Sequence, residues 1–213
     1  MTDKPTHALP PSKGHVYLVD DDPSVRTSLA RMLDYMGFAV EAHAGPAEFL
    51  KNSLPVAPAV LVLDMRMPGY TGLQLQQDMA RLGRHTPIVF MSGESQPQEI
   101  IDALTAGACH FLLKPFNMDD LLREIYKAMA YDRERLERYR DDVDARLRYA
   151  LLTPRERDVC QMVIKGLMNK EIAEHFDCSL KTIKVHRARV MDKMGAGSLL
   201  ELAEAISQVE GRG

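Results

Sequence analysis

The stretch VYLVDDDPSV, residues 16–25, places three consecutive carboxylates directly after four mainly apolar residues. Val16 to Val19 have the length and composition of a short buried strand. The carboxylates of Asp20, Asp21 and Asp22 raise one another's pKa unless a cation, hydrogen bonds or solvent compensates their charge. The stretch therefore predicts a strand that ends either in an acidic site or in a solvated turn.

Four further apolar runs of strand length follow, separated by amphipathic segments of helix length. The five predicted strands are VYLV at 16–19, FAVEA at 38–42, AVLVL at 59–63, IVFM at 88–91 and HFLL at 110–113. The predicted helices lie at 24–36, 46–51, 72–82, 97–106 and from 118 onward. This alternation predicts an α/β fold, a five-stranded parallel doubly wound sheet with helices on both faces. Ligands of such sheets bind at the carboxyl ends of the strands.

The composition is that of a soluble globular protein of 213 residues, with 46% hydrophobic residues, 27% charged residues and a net charge of -3. This length suits two domains of ordinary size. No apolar run reaches the roughly 18 residues of a membrane span, and MTDKPTHALPPSKG lacks the apolar core of a signal peptide, so we expect a cytoplasmic protein without a membrane partner. The three widely spaced cysteines argue against a disulfide framework or a zinc site.

The chain divides into four predicted segments. Residues 1–14 form a disordered tail, residues 15–130 the α/β domain, residues 131–150 a helical linker and residues 151–213 a second, all-α domain. No Gly or Pro occurs from Met118 to Leu152, which predicts one long helix or two in line. A capping box, TPRE at 153–156, begins the second domain.

The long helix has a seven-residue pattern with two interpretations. One seam position holds Leu122, Met129, Leu136, Val143 and Ala150, and the other holds Ile125, Asp132, Tyr139 and Arg146. The pattern fits a parallel coiled coil that pairs two chains. It also fits a solvated connector, because the charged side chains of Asp132 and Arg146 weaken the second seam.

Polar residues end four of the five predicted strands. Asp20 and Asp21 follow the first strand, Asp64 the third, Ser92 the fourth and Lys114 the fifth. Each alone is an ordinary turn or cap residue, but all five meet at one edge of a parallel sheet. Converging carboxylates suit Mg²⁺, which the sequence does not distinguish from Mn²⁺. A lysine beside them balances their charge and can hold an anionic group.

These strand-end residues make the segment from 15 to about 130 resemble the receiver domain of two-component response regulators. The resemblance implies that Asp64 accepts a phosphoryl group from a cognate sensor histidine kinase and that Lys114 contacts this group. It also implies that Asp20, Asp21 and Asp64 hold Mg²⁺, together with the backbone carbonyl of Arg66. Phosphoryl transfer needs little from a protein beyond such placement of nucleophile, metal and charge.

The same resemblance implies different roles for the residues around this site. Ser92 would turn toward the phosphoryl group, and Phe111 stands where the family has a switch aromatic, so it either acts through packing or is ordinary core. Asp22 has no metal role and is expected to face solvent or to cap the next helix. A phosphatase that used Asp64 would need a second aspartate two residues later, where Arg66 stands, so we expect no enzyme.

The second domain carries a concentrated basic helix. Four helices are predicted, at 154–165, 169–175, 180–194 and 198–208. Residues 181–193, KTIKVHRARVMDK, hold five basic side chains and one acid. Ile183, Val190 and Met194 recur at helical spacing and would face the core. The order of helix, turn and basic helix is that of a helix-turn-helix.

The segments LTPRE, GLMNKEIA and SLKTIKVHRARVMDKMG resemble the LuxR-type DNA-binding domain, and together with the receiver they resemble the FixJ/NarL family. The resemblance implies that residues 180–194 enter the major groove of double-stranded promoter DNA. Base edges would be read by Lys184, Val185 and Ala188, and phosphates would be contacted by Lys181, Thr182, Arg187 and Arg189.

Together these resemblances imply a phosphorylation-dependent transcriptional regulator, an activator rather than a repressor. Phosphorylation of Asp64 would promote a homodimer that binds a promoter, with RNA polymerase as a further partner. The alternative is a phosphorylation-independent DNA-binding or adaptor protein that uses its receiver as a dimerisation platform.

Overall fold

The computed structural model of the chain describes residues 13–51 and 58–211. Its contacts divide the chain into two compact units, Met1–Leu136 and Glu137–Gly213. The division between the two units falls within the segment that was predicted as a helical linker, 131–150, and the bounds of that linker stay a prediction. Within the described residues no helix has the length and apolarity that a membrane crossing requires.

The predicted disordered tail, residues 1–14, lies outside the described residues except for its last two positions. Lys13 and Gly14 are described, and both are hydrogen-bonded. The backbone amide of Lys13 donates to the Gly37 carbonyl at 3.0 Å, and the Gly14 carbonyl accepts from the Ala39 amide at 3.0 Å.

The first unit contains the predicted parallel sheet. Its strands are β1 His15–Val19, β2 Ala39–His43, β3 Ala59–Asp64, β4 Arg66–Met67, β5 Tyr70–Thr71, β6 Ile88–Ser92 and β7 His110–Leu113. The main sheet has the order β2-β1-β3-β6-β7, and its neighbouring strands pair in parallel. β4 and β5 form a separate antiparallel hairpin, which the sequence did not predict because two-residue strands have no periodicity.

Five helices accompany these strands: α1 Pro23–Tyr35, α2 Pro46–Leu50, α3 Gly72–Arg81, α4 Pro97–Thr105 and α5 Met118–Ala150. Asp22 is the N-cap of α1, and its side chain accepts from the backbone amides of Ser24 and Val25. The expectation that Asp22 caps this helix is confirmed. α5 is one continuous helix.

The register of the sheet brings the polar strand ends to one edge. Val19 lies opposite Leu63, Asp64 opposite Met91, and Ser92 opposite Leu113. The strands present alternate residues to two apolar clusters, one on each face of the sheet, as expected for a sheet covered on both sides. Residues that follow β1, β3, β6 and β7 therefore emerge close together.

The first part of α5 packs within the first unit, which contradicts the coiled-coil frame there. Ile125, Met129 and Asp132 are all buried, although the frame placed them in a seam between two chains. The Asp132 carboxylate accepts a 2.9 Å hydrogen bond from the backbone amide of Ala59 and pairs with Arg135 at 2.7 Å. A polar side chain occupies this position because it satisfies the amide at the start of β3.

The second unit contains four more helices: α6 Pro154–Ile164, α7 Asn169–His175, α8 Leu180–Met194 and α9 Leu199–Glu210. Ile183, Val190 and Met194 of α8 are buried, as the helical spacing predicted. The capping box of Thr153 and Glu156 is formed at the start of α6. Asp177, in the turn between α7 and α8, has a φ of 46°, which aspartate tolerates better than most residues.

The last turns of α5 belong to this second unit. Ala145 is buried, and the Arg148 guanidinium donates to the Met194 carbonyl at the end of α8 at 3.1 Å. The Lys193 ammonium in turn donates to the Leu151 carbonyl at 3.1 Å. A cation at a helix C-terminus satisfies carbonyls that have no partner within the helix, so these contacts fasten the end of α5 to α8.

Candidate functional site

Three predicted residues meet at the carboxyl edge of the sheet. The Lys114 ammonium donates to Asp64 Oδ1 at 2.6 Å and to Asp20 Oδ2 at 3.1 Å. Asp20 is 1% exposed and Asp64 is 6% exposed. The second oxygen of each carboxylate accepts a backbone amide, from Asp22 at 2.9 Å and from Arg66 at 2.8 Å.

The charges of this group depend on one another. Burial raises the pKa of Asp20, although the hydrogen bond from Lys114 opposes this rise. Burial also disfavours the charged form of Lys114, but its hydrogen bonds to Asp64 and Asp20 outweigh that effect, so the pKa of Lys114 lies above its ordinary value. The lysine thus neutralises part of the charge of two buried carboxylates.

The donor set fits a hydrated divalent ion. Among the described residues no group of three or more His, Cys, Asp or Glu side chains has the arrangement of a metal site, and Asp21 is exposed. Mg²⁺ does not need such a cage, because it keeps several waters and is commonly bound by one or two carboxylates together with phosphate oxygens. The carboxylates of Asp20 and Asp64 supply that minimum.

The hydroxyl of Ser92 does not contact Asp64. Its Oγ donates to the Glu94 carbonyl at 2.9 Å and accepts from Ser95 Oγ at 2.8 Å. The side chain is 1% exposed, so the loop that follows β6 encloses it. Phe111 packs against Phe90, with ring centroids 5.9 Å apart and an interplanar angle of 29°, and it is only partly buried.

The side chain of Arg66 makes contacts that the sequence did not predict. Its Nε donates to the Glu94 carbonyl at 2.7 Å, and its Nη2 pairs with Glu99 Oε2 at 3.1 Å. Glu99 lies in the first turn of α4. Only the tertiary structure brings β4 beside the loop between β6 and α4, so no local pattern in the sequence signals this contact.

A second candidate site is the exposed surface of α8. Its exposed residues include all but one of the predicted DNA contacts: Lys181, Thr182, Lys184, Val185, Ala188 and Arg189. Ser179 caps the start of the helix, where its hydroxyl accepts from the Thr182 amide at 3.1 Å, and Gly195 caps its end in the left-handed conformation. The arrangement presents positive charge along a rigid helix, which suits contact with DNA phosphates and bases.

The remaining predicted contact residue, Arg187, points elsewhere. It is partly buried, and its guanidinium donates to the Asn169 side chain at the start of α7 at 3.1 Å. This contact joins the two helices of the helix-turn-helix. Arg187 therefore braces α7 against α8 in this structure.

A partly buried ion pair links the C-terminal end of α8 to α6. Glu156 is 2% exposed, and its carboxylate accepts from the Lys193 ammonium at 2.6 Å and from the Thr153 amide at 2.9 Å. These contacts, the first of them above all, lower the pKa of Glu156 to about 2. Since Lys193 lies on α8 and Glu156 on α6, the pair ties the basic helix to its supporting helix.

The fold and the two sites define a two-domain response regulator, with an acidic receiver followed by a helix-turn-helix. The family model of the response regulator receiver domain matches residues 16–126. The family model of bacterial regulatory proteins, luxR family, matches residues 150–206. The chain belongs to the response regulators that carry a LuxR-type DNA-binding domain, and it is a phosphorylation-dependent transcriptional regulator of a two-component system.

Similar proteins support this membership over nearly the whole chain. The transcriptional regulatory protein FixJ of Bradyrhizobium diazoefficiens is 40% identical over 193 residues, which cover 90% of this chain and 93% of that protein. Nodulation protein W of the same species is 37% identical over 196 residues, which cover 92% of this chain and 86% of that protein.

Solved structures agree with this comparison. The response regulator StyR has a TM-score of 0.81 and 36% identity, with 91% of this chain and 98% of StyR covered. Full-length FixJ from B. japonicum has a TM-score of 0.57 and 37% identity, with 92% and 97% covered. The predictions of the family, of the fold class and of a kinase and DNA as classes of partner agree with these findings.

Proposed function

We propose that Asp64 is the phosphoryl acceptor of this receiver. The observation that carries the proposal is the position of the Lys114 ammonium, between the buried carboxylates of Asp64 and Asp20. Asp64 is the central member of the group, since it ends β3 in the middle of the sheet. A carboxylate that is buried beside a fixed cation is held ready for an anionic reaction partner.

Transfer requires one Asp64 oxygen to attack the phosphorus atom while the bond to the kinase histidine breaks and the histidine leaves with the electron pair. Lys114, already bound to Asp64, would then hold a phosphoryl oxygen and neutralise its charge. The backbone amide of Arg66 fixes the second Asp64 oxygen, so the nucleophile is oriented before the donor arrives.

We further propose that Mg²⁺ is held by the carboxylates of Asp20 and Asp64, with Asp21 and the Arg66 carbonyl as the remaining protein ligands and Mn²⁺ as a substitute. When bound, the ion supplies positive charge for the phosphoryl oxygens. The exposed carboxylate of Asp21 would have to turn toward Asp20 to take part.

The switch would begin at Ser92. In this structure its hydroxyl is engaged with Glu94, so contact with a phosphoryl group at Asp64 requires the loop after β6 to rearrange. New negative charge and strong acceptor atoms at Asp64 favour that rearrangement. Phe111, packed on Phe90, would respond through packing alone, because it has no hydroxyl.

We propose that the output is promoter binding by a homodimer through α8. Lys184, Val185 and Ala188 would read base edges, and Lys181, Thr182, Arg187 and Arg189 would contact phosphates. The exposed positive charge of α8 supports this assignment, although Arg187 must first leave Asn169. Recruitment of RNA polymerase would then activate transcription. We propose a cytoplasmic location, because the promoter DNA that α8 would bind lies there.

Incubation of the full chain with acetyl phosphate and Mg²⁺, followed by intact-mass measurement, tests the acceptor. Wild type should gain one phosphoryl group, and Asp64→Asn should gain none. Asp22→Asn is the matched control, because asparagine caps a helix as well as aspartate does and Asp22 has no proposed metal role. A phosphoryl group on Asp64→Asn would place the acceptor elsewhere, and its absence from wild type would reject phosphorylation at this site.

A further inference from the structure

The two contacts of the Arg66 side chain join the phosphoryl site to the loop that must move. The backbone amide of Arg66 donates to Asp64 Oδ2. Its guanidinium donates to the Glu94 carbonyl and pairs with the Glu99 carboxylate. One residue therefore contacts the proposed acceptor with its backbone and the β6–α4 loop with its side chain.

The Glu94 carbonyl is shared between two donors. Ser92 Oγ donates to it at 2.9 Å and Arg66 Nε donates to it at 2.7 Å. The carbonyl that Arg66 holds is thus the same one that keeps the Ser92 hydroxyl turned away from Asp64. As long as Arg66 fixes this carbonyl, the Ser92 hydroxyl has a partner within its own loop.

Glu99 extends the connection to α4. Its Oε2 accepts from Arg66 Nη2 at 3.1 Å and from the Gln96 amide at 2.8 Å, which caps the helix. The Arg66 side chain consequently reaches the beginning of α4 as well as the loop. Movement of the Arg66 side chain would therefore remove contacts from both the β6–α4 loop and the start of α4.

We propose that the Arg66 side chain is a latch that holds the β6–α4 loop in its unphosphorylated conformation. The inference rests on the proposed acceptor role of Asp64. A phosphoryl group at Asp64 adds negative charge two residues from Arg66, and its oxygens offer the guanidinium a stronger partner than a neutral carbonyl. Arg66 then leaves Glu94, the loop is released, and the Ser92 hydroxyl becomes free to turn toward the phosphoryl group. Arg66 acts here as a positioning residue.

Hydrogen–deuterium exchange of the full chain, read on peptides that cover residues 92–100, tests the latch. In the unphosphorylated protein, Arg66→Ala should speed exchange of the loop amides by about 5-fold, the effect expected for loss of an exposed charge-assisted contact. Glu99→Gln should act in the same direction but less, because glutamine can still cap α4. Arg81→Ala is the matched control, since Arg81 pairs with Asp78 on an exposed part of α3, and it should leave the loop unchanged.

Measurements on the phosphorylated proteins distinguish a latch, which phosphorylation releases, from a contact that stabilises the loop in both states. If phosphorylation itself releases Arg66, loop exchange should be equal in phosphorylated wild type and phosphorylated Arg66→Ala. A 5-fold difference that persists after phosphorylation, or unchanged exchange in unphosphorylated Arg66→Ala, would overturn the latch. The intact mass of the same samples reports the acceptor separately. A wild-type chain without a phosphoryl group rejects the acceptor role and the latch with it, whereas a persistent difference on phosphorylated chains rejects the latch alone.

Discussion

The acidic edge of the sheet and the basic helix α8 hold their charges in opposite ways. At the sheet edge the charges are paired within the protein, because Lys114 lies between two carboxylates that are nearly inaccessible to solvent. On α8 the charges of Lys181, Lys184 and Arg189 are exposed. The first site is therefore prepared for a reaction inside the protein, and the second is available to an external polyanion.

This difference determines what a single substitution should do. Removal of one member of a buried charged group leaves its partners uncompensated, which destabilises the fold. Removal of an exposed charge costs the fold little, and its effect should instead be seen in DNA binding.

Lys114→Ala should have the largest effect on stability. It leaves the Asp20 and Asp64 carboxylates facing each other without a cation, which should lower the free energy of unfolding by about 3 kcal/mol at neutral pH without Mg²⁺. Urea unfolding followed by circular dichroism measures this. Lys170→Ala, which removes an exposed lysine that pairs with the exposed Glu174, is the control. Equal stability of the two variants would show that the acidic edge does not need its lysine.

Glu156→Gln should have the next largest effect, in the second unit. Glutamine keeps the capping box but loses the ion pair with Lys193, at a cost on the order of 2 kcal/mol at pH 7. Because the folded pKa is depressed from 4.5 to about 2, the wild-type advantage is present above pH 4.5 and disappears as the pH falls toward 2. Calorimetry of both full chains across this range measures it. If the difference in free energy of unfolding between wild type and Glu156→Gln did not change with pH, the depressed pKa of Glu156 would not be a source of stability.

Lys184→Ala should weaken DNA binding without loss of fold. We expect about 10-fold lower affinity for a duplex that the protein selects from a random pool, and a salt dependence reduced by about one counterion if Lys184 also lies near a phosphate. Fluorescence anisotropy at several salt concentrations measures both. Lys165→Ala, at the end of α6, is the exposed control. An unchanged affinity for Lys184→Ala would remove this residue from the interface.

Tyr139→Ala should have the smallest effect on stability. Tyr139 is a seam residue of the predicted coiled coil and is 58% exposed, so in a single chain its replacement should change the free energy of unfolding by less than about 0.5 kcal/mol. Thermal unfolding measures this. A larger loss at high protein concentration alone would show that this part of α5 pairs two chains, and the connector interpretation would then be wrong.

The sequence was sufficient where a pattern is local or where topology dictates convergence. Short continuous apolar runs located all five main strands, and the parallel arrangement they implied brought Asp20, Asp64 and Lys114 together. Helical spacing likewise identified Ile183, Val190 and Met194 as the buried side of α8. In these cases burial follows from an apolar run or from helical spacing, both of which are local features of the sequence.

The sequence was insufficient where a contact depends on tertiary packing. The heptad pattern of α5 could not show that Ile125, Met129 and Asp132 pack within the receiver, because a helix face looks the same whether it covers a sheet or a second helix. The resemblance gave Arg66 a role only through its backbone carbonyl and placed the Arg187 side chain at DNA phosphates, so neither side chain had a predicted partner within the protein. Their contacts with Glu94 and Asn169 exist only because the fold places distant segments side by side.

The measurement that most directly tests the link between the two sites is the affinity of the full chain for its selected duplex before and after treatment with acetyl phosphate and Mg²⁺. Wild type and Asp64→Asn should be compared at the same salt concentration. Wild type should gain about 10-fold or more in affinity, within the usual range of coupling between two sites, and Asp64→Asn should not change. Phosphorylated wild type that bound no more tightly than before, or an equal gain for Asp64→Asn, would contradict control of α8 through Asp64.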